Sequence, residues 1–224
     1  MTELNNIADI LPLRAEQLGE AIAIRCPGRR GSDGFARYDD CISYSRLNLR
    51  VQALACGFNG YGIGHGDRAV VMLKPSIDFF LVMFALLKCG AVPVLIDPGI
   101  ARSALKQCLQ EADAKAFIGI PLAHLAKGLF GWAPGARIKV STGRFAWFGG
   151  KTLQAIEAAG AASHGELATV SDEDPAAILF TSGSTGVPKG VLYRHRHFVA
   201  QVNLLKHAFS VEPGGVSLPT FPPF

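Results

Sequence analysis

Apolar positions along this chain alternate between two spacings. In residues 44–58, YSRLNLRVQALACGF, Leu47, Val51, Leu54 and Phe58 recur every three or four residues and fall on one helical face. The runs RAVVML at 68–73 and VPVLI at 92–96 are apolar without interruption, as in strands covered on both faces. Between them Ser76 is an N-cap, the apolar stretch to Cys89 is a helix, and Gly90 stops it in the left-handed conformation. The same reading gives an amphipathic first helix, a strand at 21–25, a helix at 102–112, a strand at 115–120 and a short helix after Pro121. Residues 127–165 are less regular, with GWAPGA, FAWFGG and GAASHG marking loops around one strand in RIKV. The charged turn SDEDP at 171–175 then divides a first α/β lobe, 1–170, from the start of a second, 171–224, whose first strand is AAILF at 176–180. Strands and helices in alternation predict an α/β fold, with mostly parallel sheets flanked by helices.

The strand at 176–180 runs directly into TSGSTGVPKGV, residues 181–191. A Gly/Ser/Thr-rich turn after a buried strand puts free backbone N–H groups at the carboxyl edge of a sheet, where open α/β folds bind ligands. Thr181, Ser182, Ser184 and Thr185 add hydroxyl donors, Gly183 and Gly186 permit the backbone turns, and Lys189 closes the loop with a full positive charge. These features together suit a polyphosphate better than a solvated Gly/Ser turn. The loop is not a Walker A motif, because Pro188 stands where the second glycine belongs and Gly190 follows the lysine. It is not a hydrolase elbow either, since Ser182 lies two residues before Ser184. GYGIGHGD at 60–67 completes no dinucleotide fingerprint, with His65 and Asp67 at the third-glycine positions, and reads as a turn.

Composition narrows the classes further. The 224 residues suffice for a sizeable core, and a net charge of +4 from scattered basic residues argues against a dedicated nucleic-acid binder. Five widely spaced cysteines without a Cys-x-x-Cys pair point to free thiols in a reducing cytoplasm. The N-terminus lacks a basic region followed by an apolar run, and FFLVMFALL at 79–87 falls short of the ~20 residues of a spanning helix.

TSGSTGVPKGV resembles the phosphate-binding signature of the adenylate-forming superfamily, which includes acyl-CoA synthetases, luciferases and adenylation domains of peptide synthetases. The resemblance extends to ISYSRLNLRVQALACGFNGYGIGHGDRAVVML and FALLKCGAVPVLIDP, and so covers the N-terminal part of that family's large domain. RCPGRR, AFIGIPLAHLA, YRHRHF and PGGVSLPTFPPF are most similar to the olefin-pathway members that adenylate a long-chain β-hydroxy acid and close it to a β-lactone. The resemblance implies ATP and Mg2+ as cofactors and a fatty or β-hydroxy fatty acid as substrate. It further implies that Thr181, Ser182, Gly183, Ser184, Thr185 and Gly186 hold the leaving pyrophosphate, with Lys189 as counter-charge. Fatty acyl-CoA ligation and loading of a carrier thiol stay open as alternative outcomes.

His195 falls where the family commonly has a histidine, which makes it a catalytic candidate alongside Lys189, and RHRHF at 194–198 is expected to bring basic groups near the phosphates. A zinc pair of His195 and His197 lacks a third ligand at motif spacing. Phe198, Val202, Leu205 and Phe209 form an apolar stripe expected to face the core. Phe221 and Phe224 match the segment leading to the acyl pocket, although Pro222 and Pro223 stand where many members carry a histidine. The chain stops before the places where the family supplies its adenine pocket, magnesium-binding glutamate, ribose-binding aspartate and mobile C-terminal domain. It is therefore expected to be part of a longer enzyme, inactive alone and prone to self-association through open sheet edges. A stand-alone module that binds a phosphate-bearing ligand or a partner without chemistry is the alternative from another class.

Overall fold

A computed structural model of the chain describes residues 4–28, 30–97, 99–146, 148–163, 165–181, 188–212 and 214–218. A 3-10 turn, Ile7–Asp9, leads into α1 (Ile10–Leu18) and an antiparallel pair, β1 (Ile22–Cys26) with β2 (Asp40–Ser43). The strand expected at 21–25 thus stands apart from the main sheet. After α2 (Tyr44–Gly60) come β3 (Arg68–Met72), α3 (Ile77–Lys88), β4 (Val92–Ile96), α4 (Arg102–Glu111), β5 (Ala116–Gly119) and α5 (Pro121–Phe130). The chain continues through β6 (Ile138–Ser141), β7 (Lys151–Thr152), α6 (Leu153–Ala161), β8 (Pro175–Thr181), β9 (Lys189–Arg194) and α7 (His195–Ala208).

Local chemistry sets the helix ends. The Ser76 hydroxyl accepts from Phe79 N–H at 3.3 Å to cap α3, and Gly90 follows that helix with φ of 72°. Ser43 caps α2 and Thr152 caps α6 in the same way.

The main sheet has the order β7-β6-β5-β3-β4-β8-β9, parallel throughout except for the antiparallel β8–β9 pair. Alternation along each strand splits its apolar run between two layers. Ala69, Val71 and Leu73 pack with α2, α3 and α6, whereas Val70 and Met72 pack with α4 and the residues around Trp132. In β8, Leu179 belongs to the first layer and Ile178 and Phe180 to the second. Covering both faces is what makes these strands apolar without interruption.

Strand β8 pairs with β4, Leu95 opposite Leu179, so the strand at 176–180 extends the sheet of the first lobe and does not begin another. The turn at 171–174 joins elements of one sheet. Helices α2 and α6 meet at two glycines: a Cβ on Gly160 would stand 1.8 Å from the Ala53 carbonyl oxygen, and one on Gly57 would stand 2.2 Å from that of Ile156. Arg50 and Glu157 bridge the same two helices.

Candidate functional site

The phosphate-loop candidate is the connection of the β8–β9 hairpin. Thr181 ends β8 at the carboxyl edge and pairs directly with Lys189, the first residue of β9. Both side chains belong to exposed residues, and Lys189 makes no ion pair among the described residues. The loop's hydroxyl entrance and its cationic exit therefore stand side by side. Ser182, Gly183, Ser184, Thr185 and Gly186 lie outside the described residues, as do Phe221 and Phe224.

The neck of the hairpin is fixed on two sides. The Asp97 N–H, just beyond β4, donates to the Phe180 carbonyl oxygen at 3.1 Å, and the Asp97 carboxylate accepts from Gly99 N–H at 2.7 Å. Across the hairpin Phe180 faces Gly190, and a Cβ there would come within 2.8 Å of the buried phenyl ring. Sequence reasoning missed both relationships. The glycine after the lysine is the one visible signal, because a side chain at that position would meet Phe180.

Next to this edge the sheet reverses its strand order, with β4 and β5 on opposite sides of β3. Ligands of open α/β sheets occupy such crevices at the carboxyl ends. A crevice of about 380 Å3 opens there, with Met72, Ile96, Leu105 and Trp132 in its apolar wall and Lys74 and Asp97 also lining it. Asp97 thus borders both the crevice and the neck of the loop.

The histidines sit elsewhere. Strand β9 leads away from the loop, and six residues at strand rise separate Lys189 from His195 by about 20 Å. His195 is fully buried under the N-terminal turn, its Nδ1 accepting from Ile7 N–H at 3.2 Å and its backbone N–H donating to the Asp174 carbonyl oxygen at 3.3 Å. Accepting at Nδ1 puts the proton of the neutral ring on Nε2, which has no partner among the described residues. Burial holds this imidazole below its ordinary pKa, with Asp174 and Asp9 pulling it upward and His65 pushing it down. The described residues thus place His195 at the amino edge of the sheet, away from Lys189 and not beside it as expected, where it joins the N-terminal turn to the start of α7.

The rest of RHRHF is also at the amino edge. Arg194 and Arg196 both engage Glu173, and His197 Nδ1 accepts from Arg194 N–H at 3.1 Å as a helix cap. His195 and His197 therefore serve different hydrogen bonds in different surroundings. The expected apolar stripe of α7 is likewise corrected. Phe198 is half-buried against the cluster of Ile7, Ala8 and Leu87, but Val202, Leu205 and Phe209 are exposed, Phe209 by 72%. Only the start of α7 docks, on the N-terminal turn, and no described element covers the remainder of the stripe.

Residues 14–224 match the family described as AMP-binding enzyme. The chain is 60% identical over 225 residues to the olefin beta-lactone synthetase of Xanthomonas campestris pv. campestris, a match covering 100% of this chain and 40% of that protein. It is 61% identical over 220 residues to the olefin beta-lactone synthetase of Stenotrophomonas maltophilia, covering 98% and 40%. Among solved structures its fold is similar to that of a long-chain-fatty-acid-CoA ligase (FadD1) from Archaeoglobus fulgidus, with a TM-score of 0.76 at 23% identity, covering 92% of this chain and 40% of that one. The chain spans about 40% of the length of the olefin beta-lactone synthetases that it matches. A strand that opens into a hydroxyl- and glycine-rich loop closed by lysine, within a family match that takes in nearly every residue, leads to one conclusion: the chain belongs to the AMP-binding enzyme family.

Proposed function

We propose that this chain carries the pyrophosphate-holding loop of an adenylate-forming ligase that activates a long-chain β-hydroxy fatty acid and closes it to a β-lactone. The observation that carries the reading is the pairing of Thr181 with Lys189 at the carboxyl edge, which closes the loop with a hydroxyl and an ammonium side by side. Identity of 60% to an olefin beta-lactone synthetase favours lactone closure over transfer to a thiol.

In the first step a carboxylate oxygen of the substrate attacks the α-phosphorus of ATP. The bond from that phosphorus to the bridging oxygen breaks, and pyrophosphate leaves with the electron pair. Charge grows on the leaving group, where Thr181, Ser182, Gly183, Ser184, Thr185 and Gly186 would donate hydrogen bonds and Lys189 would add a positive charge. Donors fixed in advance stabilise that charge without reorganising. In the second step the β-hydroxyl oxygen attacks the acyl carbon, the bond to AMP breaks, and the hydroxyl proton passes to solvent. Phe221 and Phe224 are assigned to the acyl pocket.

Hydroxyl and amine groups suit phosphate oxygens better than a metal ion, and the described residues contain no group of three His, Cys, Asp or Glu that could hold one. Mg2+ would accompany the triphosphate beside Lys189 and would supply further positive charge to the leaving pyrophosphate.

All five cysteines are unpaired, which supports a reducing cytoplasm, and no helix among the described residues is long and apolar enough to cross a membrane. Self-association of the 224-residue chain is assigned to β9, whose outer edge pairs with no strand among the described residues.

The test is product analysis with ATP and a β-hydroxy fatty acid, using a protein of the relatives' length that contains this segment. Formation of β-lactone with AMP and pyrophosphate supports the reading. Formation of an acyl thioester alone, or turnover only when coenzyme A is supplied, contradicts lactone closure.

A further inference from the structure

We propose that Phe180 and Gly190 are a positioning pair that fixes Lys189, and through it the strength with which the loop holds pyrophosphate. The inference rests on the adenylate-forming reading above. Phe180 is 2% exposed and belongs to the core layer of Val94, Phe117 and Leu109. Its ring cannot yield without disturbing that layer. Gly190 stands directly opposite in the β8–β9 ladder, and a Cβ there would lie 2.8, 3.1 and 3.2 Å from three ring atoms. Gly190 does not adopt a left-handed conformation, so what excludes a side chain is space.

Thr181 and Lys189 form the next pair in the ladder, one residue toward the loop. The Phe180 carbonyl is tied on its other side by Asp97 N–H. The neck of the loop is thus held between β4 and the Phe180 ring, and the lysine takes its position from a glycine that lets β9 lie close. Adding a methyl group at Gly190 would push β9, and Lys189 with it, away from β8. A charge displaced from the phosphates loses much of its effect, because a misplacement of about 1 Å can cost on the order of a hundredfold at such sites.

The test uses pyrophosphate as probe with a protein of the relatives' length that contains this segment, measuring affinity by calorimetry and folding by thermal denaturation. Gly190→Ala is expected to weaken pyrophosphate binding about tenfold. Adding Phe180→Leu, which removes the ring, is expected to restore most of that loss, whereas a purely structural defect would deepen with a second core change. In a Lys189→Ala background, Gly190→Ala is expected to cost no further affinity. Unchanged affinity in a folded Gly190→Ala chain overturns the proposal, and so does an equal loss with and without the lysine. If Gly190→Ala fails to fold, the proposal requires Gly190→Ala/Phe180→Leu to fold and bind; a double variant that folds but does not bind overturns it. Absence of pyrophosphate binding by the unaltered chain would instead remove the underlying reading of the loop.

Discussion

Nδ1 of His195 accepts the N–H of Ile7 at 3.2 Å, a contact between residues 188 positions apart that pins the N-terminal turn to the start of α7. Burial lowers the His195 pKa and that of His124, whose Nε2 lies 2.9 Å from the Val140 carbonyl oxygen. Both folded-state values lie below the ordinary 6.5, so the unfolded chain binds more protons as pH falls through that range. Their contribution to stability is complete above about 6.5 and is lost on acidification toward the folded pKa. Thermal midpoints recorded from pH 8 to 5 should fall with pH. His195→Phe should lose about 1–3 kcal/mol at pH 8, because the Ile7 N–H is left buried without its acceptor, and should flatten part of the pH slope.

The two glycines between α2 and α6 make a steric prediction with a built-in contrast. Gly160→Ala puts a Cβ 1.8 Å from the Ala53 oxygen and 2.4 Å from the Gly57 nitrogen, so the helices must separate. A loss of about 3 kcal/mol is expected in denaturant unfolding. Gly128, an exposed residue of α5, has nothing within 4 Å of the same position, and Gly128→Ala should stabilise by about 0.5–1 kcal/mol through helix propensity.

Arg50 donates to both oxygens of Glu157, at 2.7 and 2.8 Å, with 26% and 20% of the two side chains exposed. The hydrogen bonds that Arg50 donates to Glu157 raise the Arg50 pKa, while burial raises that of nearby Asp78. A double-mutant cycle with Arg50→Met and Glu157→Gln should give a coupling of about 1–2 kcal/mol, between the ranges for exposed and buried pairs. It should persist largely unchanged in 0.5 M salt, since half-buried charges are weakly screened.

Much of the sheet was legible because burial on both faces leaves an unbroken apolar signature, as in 68–73 and 92–96, and because Ser76 and Gly90 punctuate α3 with their own chemistry. Helix α6 escaped notice because it is short, with only Leu153 and Ile156 as large buried positions, and part of its contact with α2 is Gly160 against Gly57, which carries little apolar signal. Strand β9 escaped for a related reason: exposed over most of its length, it shows no alternation. Missing that strand put His195 beside the loop, when β9 in fact carries it to the far edge. The stripe on α7 was visible, but periodicity reports a face and not what covers it. The reading of the loop rests on residue order, strand, glycines and hydroxyls, then lysine, of which the structure describes the strand ending at Thr181 and the lysine that opens β9.

The central claim concerns the charge that closes the loop, and ATP–pyrophosphate exchange tests it most directly. A protein of the relatives' length containing this segment should exchange labelled pyrophosphate into ATP when given a β-hydroxy fatty acid. Lys189→Ala should slow that exchange on the order of a hundredfold. The thermal midpoint should stay where it was, because Lys189 is exposed and makes no ion pair among the described residues. An undiminished exchange rate in Lys189→Ala would contradict the account.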